Sequence, residues 1–156
     1  MEAEADRRIV VGVDGSPSSR EALRWAATQA RVTGGWLEAV AAWQIPPTLL
    51  IASSQGYVGG FEGAPPIDFA SLARGILEES LAEVLGGDAA LRVTSKIIQG
   101  HPATVLVARS SGAELLVVGS RGRGGFAGLL LGSVSTYVAA NAHCPVTIVR
   151  HIDGEP

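Results

Sequence analysis

A glycine-rich segment, GSRGRGGFAGLLLGSVS at residues 119–135, directly follows the apolar run ELLVV. Glycine lets the backbone approach a ligand closely, and consecutive amide groups in a glycine-rich turn form an anion-binding nest. The segment also leads into a predicted helix near Ser133, whose free amide groups and dipole favour a phosphate group. These residues therefore predict a loop that wraps a phosphate chain with backbone amides.

Two familiar phosphate-binding motifs do not fit this segment. A Walker A loop requires Gly-Lys-Ser/Thr, but Gly132 is followed directly by Ser133 and the segment contains no lysine. The dinucleotide fingerprint is weakly matched by Gly122, Gly124 and Ala127. That fingerprint, however, follows the first strand of a domain and has an acidic residue about 20 positions further on, and neither condition is met here.

The elements that must position this loop alternate between short β-branched runs and helical patterns. Predicted strands occupy residues 8–15, 36–43, 91–99, 114–118 and 145–150, and predicted helices occupy residues 16–32, 68–85, 103–111 and 134–142. Such alternation predicts a parallel sheet covered by helices on both faces. Ligands in open sheets of this kind bind beyond the carboxyl ends of the strands, where Asp14 and the glycine segment both fall.

Two further local features can be predicted: the start of the first helix and the conformation of the stretch after the second strand. A capping box at Ser18 and Glu21 predicts the helix start, and Ser16 before Pro17 offers an alternative cap one turn earlier. Residues 44–67 carry several prolines and glycines without a clear period, which predicts a long loop.

Length and composition limit the classes of protein to consider. A chain of 156 residues is long enough for one domain with a substantial core. Its formal net charge of -3 argues against a nucleic-acid partner, and the single cysteine, Cys144, excludes an intramolecular disulfide. The first residues, MEAEADRR, lack the apolar part of a secretory signal, and no apolar run approaches the length of a membrane span. We therefore expect a cytoplasmic protein without membrane contact.

The spacing Gly119-x2-Gly122-x9-Gly132-Ser133 resembles the nucleotide-binding signature of the universal stress protein family. The segments IVVGVDGSPSS, GHPATVLVARSSGAELLVVGSRGRGG and LLLGSVSTYVAANAHCPVTIVR resemble further blocks of that family in the same order. The resemblance implies a flavodoxin-like, Rossmann-like α/β domain over residues 8–151, with an open parallel five-stranded sheet of order 3-2-1-4-5. Residues 1–7 and 152–156 are then expected to be tails.

The resemblance also implies a site for ATP or another adenine nucleotide, together with Mg²⁺. It places Asp14 near the ribose or a phosphate-bound metal, the backbone of Ala42 at the adenine edge and Val118 beside the ring. Family members often carry a histidine just before the adenine-contacting position, where this chain has Ala41. The nucleotide-binding residues implied in this way are Gly12, Val13, Asp14, Ala42, Val118, Gly119, Gly122, Arg123, Gly132, Ser133, Val134 and Ser135.

Three functions are compatible with these features. The first is a nucleotide-responsive regulatory or stress-tolerance protein with a protein partner yet to be identified. The second is a slow ATP hydrolase, and the third is a nucleotide-independent interaction scaffold. The closing strand bears no charge before Arg150 and forms an edge in the implied sheet order, so we expect a homodimer through Val146, Thr147, Ile148 and Val149.

Overall fold

The computed structural model describes residues 6–54, 66–122 and 130–151, in which parallel strands and helices alternate. In chain order the elements are β1 (Arg8–Gly12), α1 (Pro17–Thr33), β2 (Trp36–Trp43), α2 (Pro47–Ser54), α3 (Phe69–Leu85), β3 (Val93–Gln99), α4 (Pro102–Ser110), β4 (Leu115–Gly119), α5 (Ser133–Asn141) and β5 (Val146–Val149).

The strands form one parallel sheet in the order β3-β2-β1-β4-β5, which confirms the expected topology. In β1, the last residue, Gly12, lies opposite Val40, whereas β2 continues to Trp43. β1 is central, and the chain order reverses on its two sides, so a crevice opens where β1 and β4 end.

The sheet is covered on both faces, and each face has its own apolar core. On one face α1 and α3 pack against alternate strand residues such as Val11 and Ala39, with Leu23 and Leu77 fully buried between the layers. On the other face α4 and α5 cover Val10, Val40, Leu116 and Val118. Because β1 and β4 are buried on both faces, they read as continuous apolar runs rather than alternating ones.

Helix α1 begins at the alternative cap, and the capping box at Ser18 and Glu21 was the wrong interpretation. Ser16 has extended backbone geometry and its hydroxyl oxygen accepts a hydrogen bond from the Ser19 amide at 3.2 Å. Pro17 is then the first helical residue, where its missing N–H costs nothing. Ser18 is instead buried inside the first turn.

The long loop predicted for residues 44–67 contains a short helix, α2, which corrects that prediction. Pro46 and Pro47 stand at its start, where proline is compatible with a helix, and apolar residues follow. The sequence of α2 lacks the apolar repeat of about 3.6 residues that an amphipathic helix shows, because its apolar residues do not share one buried face. Leu50 and Ile51, for example, are both exposed. Residues 55–65 lie outside the described part of the chain.

The described chain already contacts the sheet before β1. The Asp6 carboxylate accepts a hydrogen bond from the Trp36 indole at 2.6 Å, and the Trp36 amide donates to the Arg7 carbonyl at 3.0 Å. The other residues of the expected tails, 1–5 and 152–156, lie outside the described residues. Among the helices that the structure describes, none combines the length and the apolarity needed to cross a bilayer.

Candidate functional site

A cavity of about 440 Å³ opens at the carboxyl ends of β1, β2 and β4, where the sheet order reverses. The structure brings eleven residues of the expected nucleotide site around it: Gly12, Val13, Asp14, Ala42, Val118, Gly119, Gly122, Gly132, Ser133, Val134 and Ser135. The twelfth, Arg123, lies outside the described residues. Residues far apart in sequence therefore form one continuous lining.

The cavity has six lining residues beyond those in the expected set. These are Ser16, Ser19, Val40, Pro102, Leu106 and Arg121. Pro102 and Leu106 come from α4, which starts immediately beyond β3 and so begins at the same edge of the sheet. The connection after β3 could have signalled them, because every strand of a parallel sheet ends at that edge.

One wall of the cavity is apolar and belongs to the core beneath α4. Val40, Leu106 and Val118 all line the cavity and are almost fully buried. Such a wall suits a flat, weakly polar ring system, which gains free energy from leaving water.

The end of β2 adds a polar edge to this wall. The Val13 amide donates to the Val40 carbonyl at 2.8 Å, so the peptide groups of even-numbered residues in β2 point towards β1. Ala42 is two residues further along the same side, beyond Gly12, the last residue of β1. Its peptide groups therefore face the cavity, where a donor and an acceptor stand side by side.

The side chain of Ala41 points away from the cavity. Alternate residues of β2 face opposite sides of the sheet, and Ala41 is buried in the core under α1 and α3. A histidine at this position would project to that same face. Alanine in place of histidine at this position therefore leaves the cavity lining unchanged.

The base of the glycine segment is closed by the carbonyl of Ser120. This oxygen accepts hydrogen bonds from the Gly132 amide at 2.7 Å and from the Ser135 hydroxyl at 3.1 Å. Ser135 also donates to the Gly132 carbonyl at 3.0 Å and is almost fully buried, so its hydroxyl proton is already engaged by the main chain. Ser135 thus shapes the loop, whereas Ser133 lines the cavity at the first position of α5.

The end of β4 approaches the start of α1 very closely. A Cβ atom added to Gly119 would lie 2.6 Å from the carbonyl carbon of Ser18. Only glycine permits this contact, because real Cβ atoms do not approach the backbone so closely. Gly119 therefore has a packing role in addition to its place in the cavity lining.

Among the helices that begin at the cavity, α1 and α5 differ in how their first amides are satisfied. In α1 the Ser16 hydroxyl accepts from the Ser19 amide. In α5 the cap residue is Gly132, which makes no side-chain hydrogen bond to the first turn. The first-turn amides of a helix have no intrahelical acceptor. The start of α5 therefore presents the better anion site of the two.

Asp14 places a carboxylate beside the glycine segment. Its Oδ1 accepts from the Ser16 amide at 2.9 Å, while Oδ2 lies 2.7 Å from where a Cβ of Gly122 would stand. Within residues 6–54, 66–122 and 130–151, no three His, Cys, Asp or Glu side chains come together as a metal site. Mg²⁺ is usually held by one or two carboxylates plus substrate phosphates, so Asp14 fits an ion that a nucleotide supplies.

A buried ionic cluster lies below the cavity on the same face of the sheet. The Glu38 side chain is 3% exposed and accepts two hydrogen bonds from Arg109, at 2.7 and 2.6 Å, and one from Arg8 at 3.1 Å. Burial alone would raise the pKa of Glu38, but the hydrogen bonds and positive charges of Arg109 and Arg8 together hold that pKa below its ordinary value. The cluster was missed from sequence, although an acidic residue within an apolar strand was a visible signal.

We expect Glu38→Gln to lose about 2–3 kcal/mol of unfolding free energy at neutral pH, because two partly buried guanidinium groups lose their counter-charge. A carboxyl with a lowered pKa in the folded state stabilises the fold above its unfolded-state pKa. That contribution disappears as the pH falls through the folded-state pKa, below the ordinary 4.5. Urea unfolding between about pH 7 and about pH 3 should show the two proteins converging in acid. A difference that stays constant over this range would contradict the assignment.

Comparison with known proteins agrees with the fold. Residues 6–150 match the Universal stress protein family. A universal stress protein of Mycobacterium tuberculosis is 37% identical over 142 residues, covering 91% of this chain and 44% of the relative. The chain thus spans less than half the length of that relative.

Solved structures show the same architecture. Universal stress protein UspA from Lactobacillus plantarum superposes with a TM-score of 0.70 at 21% identity, covering 95% of this chain and all of that one. A universal stress protein crystallised in complex with cAMP gives a TM-score of 0.56 at 28% identity, covering 94% of this chain and 98% of that one. The match to the family extends over every described element, from β1 through β5. The chain therefore belongs to the universal stress protein family.

Proposed function

We propose that this protein binds ATP, or another adenine nucleotide, and acts as a nucleotide-responsive regulatory or stress-tolerance module. One observation carries the proposal: uncapped amides at the start of α5 open into a cavity that also has an apolar wall and a carboxylate. A nucleotide combines the three chemical groups that such a cavity would receive, namely phosphates, a sugar and a flat base.

The base occupies the apolar end of the cavity in this proposal. It packs between Val118 and Leu106, and its polar edge meets the peptide groups of Ala42. The N–H and C=O groups of this residue match the paired acceptor and donor along one edge of adenine. Gly12 and Val13 frame the base at the end of β1.

The ribose and phosphates occupy the polar end. Gly119, Gly122 and Gly132 leave room for the phosphate chain, and the amides of Ser133 and Val134 at the start of α5 donate to it. Asp14 contacts the ribose hydroxyls or the Mg²⁺ that accompanies the phosphates. Arg121, which lines the cavity, adds a positive charge near this end.

The likeness to a universal stress protein that was crystallised with cAMP supports an adenine nucleotide as the class of ligand. That protein is 28% identical to this chain over nearly its whole length, so its ligand is a guide to the class and leaves the number of phosphates to experiment.

Mass spectrometry of the ligand released by denaturing the purified protein is the most direct test. We expect an adenine nucleotide to be recovered, and isothermal titration of the ligand-free protein should show one site per chain. Absence of saturable binding for ATP, AMP and cAMP would refute the proposal. A nucleotide-independent scaffold predicts that negative result, so the same titration separates the two functions.

Slow ATP hydrolysis is the second candidate, and we expect turnover below about 1 s⁻¹, the lower end for typical enzymes. Efficient phosphoryl transfer depends on positioned cations and a positioned nucleophile. The only lysine of the chain, Lys96, lies in the middle of β3 and is exposed rather than part of the cavity lining. Faster steady release of ADP, lost together with nucleotide binding when the site is altered, would overturn this expectation.

A further inference from the structure

The cavity wall and the buried ionic cluster are parts of the same pair of elements. Side chains of β2 alternate between the two faces of the sheet, so those of Glu38, Val40 and Ala42 lie on the same face. Val40 and Ala42 line the cavity, and Glu38 is the next residue below them on that face. β2 thus carries the cavity lining and a buried carboxylate in one row.

Helix α4 shows the matching arrangement. Pro102, Leu106 and Arg109 are spaced so that they share one face of the helix. Pro102 and Leu106 line the cavity, and Arg109 reaches Glu38. Arg109 Nε lies 2.7 Å from Glu38 Oε1 and Nη2 lies 2.6 Å from Oε2, so the two groups form a bidentate pair.

Such a pair constrains the relative position of α4 and β2 more than it contributes to the stability of the fold. Apolar side chains on facing elements tolerate small slips, whereas two parallel hydrogen bonds between planar groups fix both distance and angle. The cost of removing the Glu38 carboxylate from water cancels much of the attraction within the pair, so an apolar pair of similar volume is often as stable. An ion pair placed one turn below the cavity lining of α4 is therefore best explained by a need to hold that helix in register.

We propose that Glu38 and Arg109 are positioning residues for the nucleotide site. Their bidentate pair fixes where α4 sits along β2 and thereby sets the gap between Leu106 and the wall formed by Val40 and Val118. This inference rests on the proposed nucleotide binding, because it assigns the pair a role in the shape of that site. Neither residue contacts the nucleotide.

Arg109→Met is the main test, because it removes the guanidinium but keeps a long side chain, and Glu38 retains Arg8 at 3.1 Å as a partner. We expect about tenfold weaker binding of mant-ATP, since a supporting contact left loose displaces a site by a fraction of an ångström. Arg109→Lys keeps the charge but loses the fork, so it should also bind several-fold more weakly. Full affinity in the lysine variant would overturn the positioning role.

Leu77→Ala provides the control for a general loss of stability. Leu77 belongs to α3 and is fully buried between that helix and the sheet, on the opposite face from the cavity wall and Arg109. We expect this variant to unfold at a lower temperature while keeping its affinity for mant-ATP. If its affinity falls as much as that of Arg109→Met, the positioning role is refuted. Unchanged binding in a folded Arg109→Met variant refutes the inference but leaves nucleotide binding intact, whereas failure of the unmodified protein to bind refutes both.

Discussion

Gly122→Glu should reduce the affinity for adenine nucleotides by at least about 100-fold, which corresponds to about 2.7 kcal/mol. A Cβ atom at residue 122 would stand 2.7 Å from Asp14 Oδ2, so the Asp14 carboxylate would have to shift from its place beside the glycine segment. The rest of the new side chain would add a second carboxylate beside Asp14, where a phosphate chain is proposed to bind. Steric exclusion and like-charge repulsion therefore act in the same direction.

Two companion variants make this result interpretable. Gly75→Glu adds the same side chain on α3, where the position is exposed and an added Cβ meets no neighbour within 4 Å. It should bind as tightly as the unmodified protein. Gly122→Ala adds only the Cβ and should bind with intermediate affinity. Isothermal titration of the three folded variants is the measurement, and undiminished affinity in Gly122→Glu would move the phosphate site elsewhere.

Most of the fold could be predicted because its local and tertiary signals agree. Strands buried on both faces give apolar runs such as ELLVV, and Pro102 marks a helix start that the structure confirms. The order of the strands came from the resemblance to a family, since periodicity alone does not specify which strands are neighbours. Helix α2 escaped prediction because its exposed apolar residues, including Leu50, leave no amphipathic pattern to read.

For the candidate site, too, some features could be predicted from the sequence and others could not. Backbone-based features are visible in sequence, because glycine spacing and a carboxylate after a strand are local. The place of Leu106 in the cavity wall, and the pairing of Glu38 with Arg109, follow from how α4 crosses the sheet. Glu38 and Arg109 are 71 residues apart in the sequence. Only the tertiary structure shows that Arg109, in the last turn of α4, pairs with Glu38 on a strand whose end lines the cavity.

The position of β5 at the edge of the described sheet underlies another proposal, that the protein forms a homodimer through Val146–Val149. The Leu116 amide donates to the Pro145 carbonyl and the Ser120 amide donates to the Val149 carbonyl. Odd-numbered residues of β5 therefore direct their peptide groups to β4, and the peptide groups of Val146 and Ile148 point outwards. β5 ends the described sheet, so a second copy could pair with these groups in antiparallel fashion about a two-fold axis.

Ile148→Pro should convert this dimer into a folded monomer. Proline removes the outward-pointing N–H of residue 148 but leaves the ladder between β4 and β5 with its donors and acceptors. Ile148→Ala removes most of the same side chain yet keeps the N–H, so it should remain dimeric and serves as the matched control. Thr147→Pro introduces proline into a peptide group that faces β4 and should lower the unfolding temperature instead. Light scattering at micromolar concentration measures the outcome: a monomeric unmodified protein would refute the dimer, and an unchanged dimer in folded Ile148→Pro would place the interface on another surface.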